Sequence, residues 1–378
     1  MEVVFNKSPQ STVGIEWELN LVDLDTFELT PAAGPLLEAV GGGEGKPVRQ
    51  EYQQCMIEIV SEPRETIAEA AADLDKQLQR LIEAGAAMNV GIMGGGSHPF
   101  SHPEAQHPFR KERYDTVTER NKYWARQMVI CGSHVHIGVA KQEHVLDVTW
   151  TMARFYPYLL ALSCSSPFWD GVDSGFASQR TMFFQQLPTN GLPFRFETWE
   201  QFEAYVDDLV ASEMISEVNE LRWDVRPSPK FGTVENRIPD STPTLKELAC
   251  QAALTQCLGE YFQTALDEGD KPDYLPPWSV RENKWRAARY GLDATIITPY
   301  ADEKLIPLRS GLRKLVHFLH PYSVKLGCEV ELDFALELLD KGASYERQRR
   351  LAGYGGSGAL HDVARSLMLE THRNAPRW

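Results

Sequence analysis

The chain has six cysteines, at positions 55, 131, 164, 250, 257 and 328, yet no Cys-x-x-Cys pair. Thiols scattered through 378 residues make neither a disulfide framework nor a cysteine-rich metal knuckle, so reduced, mostly buried thiols are expected. Long uncharged apolar runs are also missing. The most apolar stretch, about 145–169, is interrupted by Asp147 and Arg154 and contains Pro157, which excludes a membrane-spanning helix there. Met1 to Thr12 lacks the basic start and apolar run of a signal peptide, and a cytoplasmic protein is expected. Positive charge is in deficit. With 38 Lys and Arg against 53 Asp and Glu, the net charge of −15 disfavours nucleic acid and anionic membrane surfaces as partners.

The familiar nucleotide loops are absent too. Gly41-Gly42-Gly43-Glu44-Gly45-Lys46 has Val40 where a P-loop needs its first glycine, and Pro47 where it needs Ser or Thr. No Gly-x-Gly-x-x-Gly stands at a strand-to-helix junction. If a nucleotide binds, metals and arginines must hold its phosphates.

What the sequence does contain is ordinary globular material, with 43% hydrophobic and 24% charged residues. Neither Gly41-Gly42-Gly43 nor Lys271-Pro272 marks a shift in composition, and no internal repeat is visible. One catalytic domain over 1–378 is therefore expected, mainly helical from about 281, where Arg281, Lys284, Arg286 and Arg289 form a basic cluster. Period-two alternation over Thr12–Val22 puts Glu16, Glu18 and Asn20 on one strand face and Ile15, Trp17 and Leu19 on the other. Gln54–Glu62 repeats the pattern with Glu58 opposite Ile57 and Ile59, until Pro63 stops it. Met128–Val139 reads as a strand with His134 and His136 on one face, and Phe231–Asp240 as another that aligns Thr233, Glu235 and Arg237. Helices are expected from a Thr66/Glu69 capping box to about Met88, and over 142–162, 198–211 and 244–267, the last two opening on Thr198 and Thr244.

An acidic face on one strand is commonplace and alone means little. Here Glu16, Glu18, Glu58, His134, His136, Glu235 and Arg237 all fall on strands opposite an apolar face. Such a sheet is a scaffold for hard cations and phosphate, and magnesium favours carboxylate oxygens. Two histidines at i and i+2 suit zinc as well. The abundance of carboxylates, with no His-Glu-x-x-His and no cysteine at ligand spacing, favours magnesium. His98, His102 and His107 stand beside Pro99, Pro103 and Pro108 and read as an irregular loop at the surface or the site's edge. Arg222, Arg226 and Arg237 surround the Glu235 strand and are suited to clamping carboxylates or phosphates.

Gly14-Ile15-Glu16-Trp17-Glu18-Leu19, Gly132-Ser133-His134-Val135-His136-Ile137-Gly138, Phe231-Gly232-Thr233-Val234-Glu235-Asn236-Arg237 and the segment Asn283–Leu292 resemble the motifs of the type-2 glutamate–cysteine ligase family, also called carboxylate–amine ligase. The likeness runs in the same order from about residue 12 to 295. That family resembles the glutamine synthetase catalytic domain, which implies an α+β fold, an antiparallel sheet with helices packed on one face. It also implies that Glu16, Glu18, Glu58, His134 and Glu235 hold magnesium, with manganese as an alternative. Arg237 would meet the transferring phosphoryl group, Arg222 and Arg226 would bind ATP beside it, and Glu235 and His136 would assist at the reacting centre. The implied reaction phosphorylates a glutamate-like carboxylate and lets cysteine or another amine displace the phosphate. Glu51 lies seven residues from Glu58, so one regular strand would put them on opposite faces, and Glu51 joins the site only through a bend or bulge. With the Glu-x-Glu so near residue 1, a small homo-oligomer is expected in place of the glutamine synthetase ring. A metal-dependent amide hydrolase built on the His-x-His pair and a non-catalytic metabolite-binding protein remain the alternatives.

Overall fold

The alternation that marks the first strand works as a sorting device. β1 (Val13–Asp23) buries Ile15, Trp17, Leu19 and Leu21 completely on one face, and each such side chain contributes about 1.5–3 kcal/mol of burial. In the computed structural model, which describes residues 3–270, 273, 275–299, 302–354 and 358–378, β1 lies at the centre of a seven-stranded antiparallel sheet. Its companions are β2 (Val48–Gln50), β3 (Met56–Val60), β4 (Val90–Met93), β5 (Ser133–Gly138), β6 (Val225–Ser228) and β7 (Thr233–Asn236). The order is β6-β7-β5-β1-β3-β2, and β4 follows β5 along the same edge of β1.

Helices cover the apolar face. α1 (Ile67–Ala86) opens on the expected capping box, Thr66 accepting from the Glu69 amide while the Glu69 side chain accepts from Thr66. The expected helix over 142–162 is instead a single turn, Gln142–His144, followed by α2 (Val145–Arg154) and α3 (Tyr156–Ser163). Pro157 explains the break, because in a continuous helix its ring would meet the Ala153 carbonyl, whereas it is tolerated in a first turn. α4 (Trp199–Ala211) and α5 (Leu245–Asp267) begin where Thr198 and Thr244 cap them. α5 packs so closely on β5 that a Cβ on Gly259 would lie 2.8 Å from Ile137.

Three expected strands are shorter as ladders, Gln54–Glu62 pairing over Met56–Val60. Met128–Val139 pairs only over Ser133–Gly138, because a short helix (Tyr123–Arg126) ends just before it and Cys131 bonds instead to Gly96 and Ser241. Phe231–Asp240 pairs only over Thr233–Asn236; Arg237 N still donates to Asp224 O at 2.7 Å, and the chain then peels away so that Ser133 N reaches Pro239 O. Lys271-Pro272 lies outside the described residues.

The C-terminal part runs through α6 (Pro277–Tyr290), α7 (Leu308–Leu326), α8 (Glu329–Lys341), α9 (Ser344–Tyr354) and α10 (Ala359–Arg373), with a small strand pair, Thr295–Ile297 and Leu305–Pro307, between α6 and α7. One hydrophobic cluster links Phe5 to Tyr345. α10 reaches the other side of the sheet. There, beyond Glu18 along β1, the polar face turns apolar at Val22, Met56 and Met93, and Leu367 and Met368 cover it.

The basic cluster read at the start of α6 contains a buried brace. Lys284 Nζ meets Asp224 Oδ2 at 2.6 Å with both side chains buried, and Asn283 clamps Ile297 through both backbone groups. Lys284→Met would strand the Asp224 carboxylate and should cost about 3–5 kcal/mol in urea denaturation. Arg286→Met, which breaks the more exposed pair with Glu282, should cost less than about 1 kcal/mol. Equal losses would contradict the brace.

Candidate active site

Strand register gathers the polar residues. Glu16 stands opposite His134, Glu18 opposite Glu58, Glu58 opposite Arg49, His136 opposite Glu235, and Glu235 opposite Arg226. Because directly opposed residues project from the same face, eight side chains from six strands converge on one surface. Glu58, His134, His136 and Glu235 are buried there.

The contacts are close. His134 Nδ1 lies 3.0 Å from Glu16 Oε2, and its Nε2 lies 3.6 Å from Glu18 Oε1. His136 Nε2 lies 3.6 Å from Glu16 Oε1 and 3.8 Å from Glu235 Oε2, while its Nδ1 pairs with Thr233 Oγ1 at 2.9 Å. The Gly132 amide donates to Glu18 Oε2. Arg49 Nη1 stands 3.9 Å from both Glu16 and Glu58. Among the described residues three trios have ligand atoms within 4.8 Å of one another: Glu16, His136 and Glu235; Glu16, Glu58 and His134; and Glu18, Glu51 and Glu58. Glu16 belongs to two of them and so does Glu58, which makes one continuous chain of candidate ion positions. The donor set of carboxylates and imidazoles fits a divalent cation, and His134 Nε2 is buried with no hydrogen-bond partner, a lone pair such an ion would use.

Glu51 enters through a bend. It follows β2, and the turn from there to Met56 returns the chain so that Glu51, just past the end of β2, lies beside Glu58 of β3 instead of on one regular strand with it.

The charges are uneven. Burial pushes Glu51 up to about 8, helped by the charges of Glu18 and Glu16. Burial and the same crowding raise Glu58 well above the ordinary range. Burial opposes ionisation of Glu16 as well, but hydrogen bonds from His134 and His136 hold it well below normal. Glu235 is likewise buried, and Arg226, Arg237 and His136 keep it ionised. The result is a sheet face whose carboxyls are pulled down at Glu16 and Glu235, where imidazole or guanidinium groups lie close, and pushed up at Glu51 and Glu58, where burial and like charge prevail.

The arginines divide. Arg226 donates to Glu235 Oε2, Asn219 O and Leu221 O, each at 2.7 Å, and so braces Glu235. Arg237 donates through Nη1 to Glu235, but its buried Nε has no partner. Arg222 makes no side-chain hydrogen bond or ion pair among the described residues, and burial with the nearby charges of Arg237 and Arg226 lowers its pKa. Arg180 had no signal in the sequence. Buried, it donates to Ile238 O at 3.2 Å and Arg237 O at 3.3 Å, and a Cβ on Gly132 would collide with it. Arg49 was missed as well, because only the pairing of β2 with β3 places it.

The proline-flanked histidines belong elsewhere. His98 is buried, pairs with Phe27 O and caps Phe100 and Ser101, and burial lowers its pKa to about 4. His102 pairs with Asp170, and His107 is exposed. None joins a ligand group among the described residues.

The model of the glutamate–cysteine ligase family 2 matches residues 12–366. The chain belongs to this family. A protein of Arthrobacter sp. (strain FB24), provisionally named glutamate–cysteine ligase 2-1, is 44% identical over 385 residues and is matched over 100% of both chains. The fold is shared with a glutamate–cysteine ligase of Francisella tularensis solved in complex with AMP, at a TM-score of 0.71 and 14% identity, covering 97% of this chain and 90% of that one. A bifunctional glutathione synthetase of Pasteurella multocida gives a TM-score of 0.62 at 14% identity, over 95% of this chain and 52% of that one. The resemblance carried by the motifs therefore holds for the family and for the antiparallel α+β fold, and the chain is an enzyme of the glutamate–cysteine ligase type. No helix among the described residues is long and apolar enough to cross a membrane.

The raised carboxyls set a pH dependence. An unfolded glutamate ionises near 4.5 whereas folded Glu51 does so near about 8, so over that interval folding takes up a proton and stability falls as pH rises. His136, raised above 6.5, contributes in the same direction, its stabilisation being complete below that value and lost through the higher folded one. In chelator, the melting temperature should drop between pH 5.5 and 8.5, and Glu51→Gln should flatten the drop. A rising melting temperature, or an unchanged slope in the variant, would contradict this charge pattern.

Proposed function

We propose that the chain joins the side-chain carboxylate of glutamate or a similar acid to an amine, cysteine or another amino compound, at the expense of ATP and with magnesium or manganese. The observation that carries this reading is the chain of three ligand trios bridged by Glu16 and Glu58, lying beside two arginines with unused donors. Glu16, Glu18, Glu58, His134 and Glu235 are the proposed metal ligands, with Glu51 and His136 completing the trios. Bound there, the divalent ions would neutralise phosphate oxygens.

The protein's own groups do the positioning. Glu235 holds Arg237 by one arm of its fork and Arg180 holds its backbone carbonyl, so the guanidinium is fixed before substrate arrives. Arg237 would meet the transferring phosphoryl group and Arg222 a neighbouring phosphate. A carboxylate oxygen of the acid attacks the γ-phosphorus, and ADP leaves. The amine nitrogen then attacks the acyl carbon, phosphate is expelled, the nitrogen loses a proton and an amide remains. No enzyme nucleophile is required, in keeping with the thiols nearest this face: burial pushes Cys55 up to about 12 and raises Cys131 well above the usual range. The shared core from Phe5 to Tyr345 supports reading 1–378 as one catalytic unit; a small homo-oligomer in the cytoplasm is part of the same proposal.

Phosphate release from ATP should require the acid, an amine and magnesium together. ATP-independent amide hydrolysis stimulated by zinc would replace this reading with a hydrolase, and binding without turnover over a broad amine panel would replace it with a non-catalytic role. Within the same assay, Arg237→Lys keeps the charge and loses the planar fork. ATP affinity should stay within a few-fold while turnover falls at least about a hundredfold, as for arginines that stabilise phosphoryl transfer. A lowered melting temperature with near-parental turnover per folded molecule would make Arg237 a structural ion-pair partner instead.

A further inference from the structure

The groove between α9 and α10 carries charge of the opposite sign to the carboxylate face. It encloses about 710 Å³, and Arg347, Arg350, Arg365, Arg373 and Arg377 line it together with Trp378. Asp362, Arg365, Ser366, Leu369, Glu370 and Arg373 recur at helical spacing and form the α10 wall. The opposite side of α10 is anchored to the sheet, where Thr371 Oγ1 accepts from the Gly94 amide at 2.8 Å.

These charges differ in how far their partners satisfy them. Arg347, only 5% exposed, donates to Glu247 at 2.8 Å and Glu370 at 2.7 Å, which occupies the Glu370 carboxylate, and its Nε remains buried without a partner. Arg350 donates to Lys341 O at 3.1 Å, and Arg377 reaches Ser366 only at 3.5 Å. Arg365 and Arg373 make no side-chain hydrogen bond or ion pair among the described residues. Among the described residues, four guanidinium groups thus line the groove with one side-chain carboxylate outside an ion pair, Asp362, in a chain of net charge −15. Arg350, Arg365, Arg373 and Arg377 are exposed, but they line a single groove beside the buried Arg347, a convergence that scattered solvated charge does not produce.

We infer that this groove is an anion-binding site separate from the catalytic face, taking a small molecule with two or more carboxylate or phosphate groups. Its volume is that of small-molecule sites, roughly 300–1,000 Å³. Guanidinium forks match both kinds of oxyanion. Trp378, whose ring lies 5.2 Å from the Arg347 guanidinium carbon, supplies an apolar wall for the ligand's body.

Calorimetric titration of the full chain with inorganic pyrophosphate and, separately, with citrate tests this without magnesium or ATP. The parent should bind at least one probe, and Arg365→Gln/Arg373→Gln should weaken that binding at least tenfold. Preference between the probes tells phosphate from carboxylate ligands. Arg350→Gln/Arg377→Gln gives an independent second variant with the same expected loss. Three results would overturn the site: no binding of either probe by the parent, binding unchanged in both variants, or sedimentation showing that the variants dissociate an oligomer. The last would assign the groove to a contact with a second copy of the chain.

Discussion

Four carboxylates, Glu16, Glu18, Glu51 and Glu58, crowd one end of a sheet face from which water is largely excluded, and the rest of the molecule is arranged around that repulsion. Like charges this close raise one another's pKa unless a cation intervenes. His134 and His136 answer for Glu16, and the Gly132 amide for part of Glu18. Arg49 approaches Glu16 and Glu58 no nearer than 3.9 Å, while burial and then the neighbouring carboxylates push the Glu58 and Glu51 pKa values up. On the reading proposed above, divalent ions relieve this repulsion and also make ATP welcome in an acidic protein without a P-loop.

Holding such a site requires a stiff support. The backs of the same strands bury Ile15, Trp17, Leu19, Ile57, Ile59, Val135 and Ile137, so a ligand cannot shift without disturbing the core. Behind the arginines stand buried polar braces. Lys284 fixes Asp224, whose carbonyl accepts from the Arg237 amide, and Arg180 holds the Arg237 carbonyl next to Asp240. Asp240 in turn accepts from Ser165, Ser166 and Ser178. The guanidinium is thereby fixed by groups that have no direct part in the proposed reaction.

Much of this was legible in the sequence because strands write their faces with period two. Glu16, Glu18, Glu58, His134, His136 and Glu235 could be placed on polar faces from alternation alone, and threonine caps marked the starts of α1, α4 and α5. Contacts made by folding were not legible. Glu51 reaches Glu58 through a turn, Arg49 depends on the pairing of β2 with β3, and Arg180 meets Gly132 from a distant helix. Local pattern also hid the division of labour among the arginines, since nothing beside Arg226 or Arg222 says which has its donors occupied. Lys284 read only as part of a basic cluster, and the fold shows it buried against Asp224.

The central claim is that the carboxylate face holds divalent ions to which the nucleotide's phosphates are coupled. Its most direct test is titration of Mn²⁺ into the protein, with bound ions counted by electron paramagnetic resonance with and without a non-hydrolysable ATP analogue. The account predicts more than one bound ion per chain, with tighter binding when the nucleotide is present and loss of these ions in Glu16→Gln/Glu58→Gln. A single ion or none, unaffected by nucleotide and retained in that variant, would contradict it.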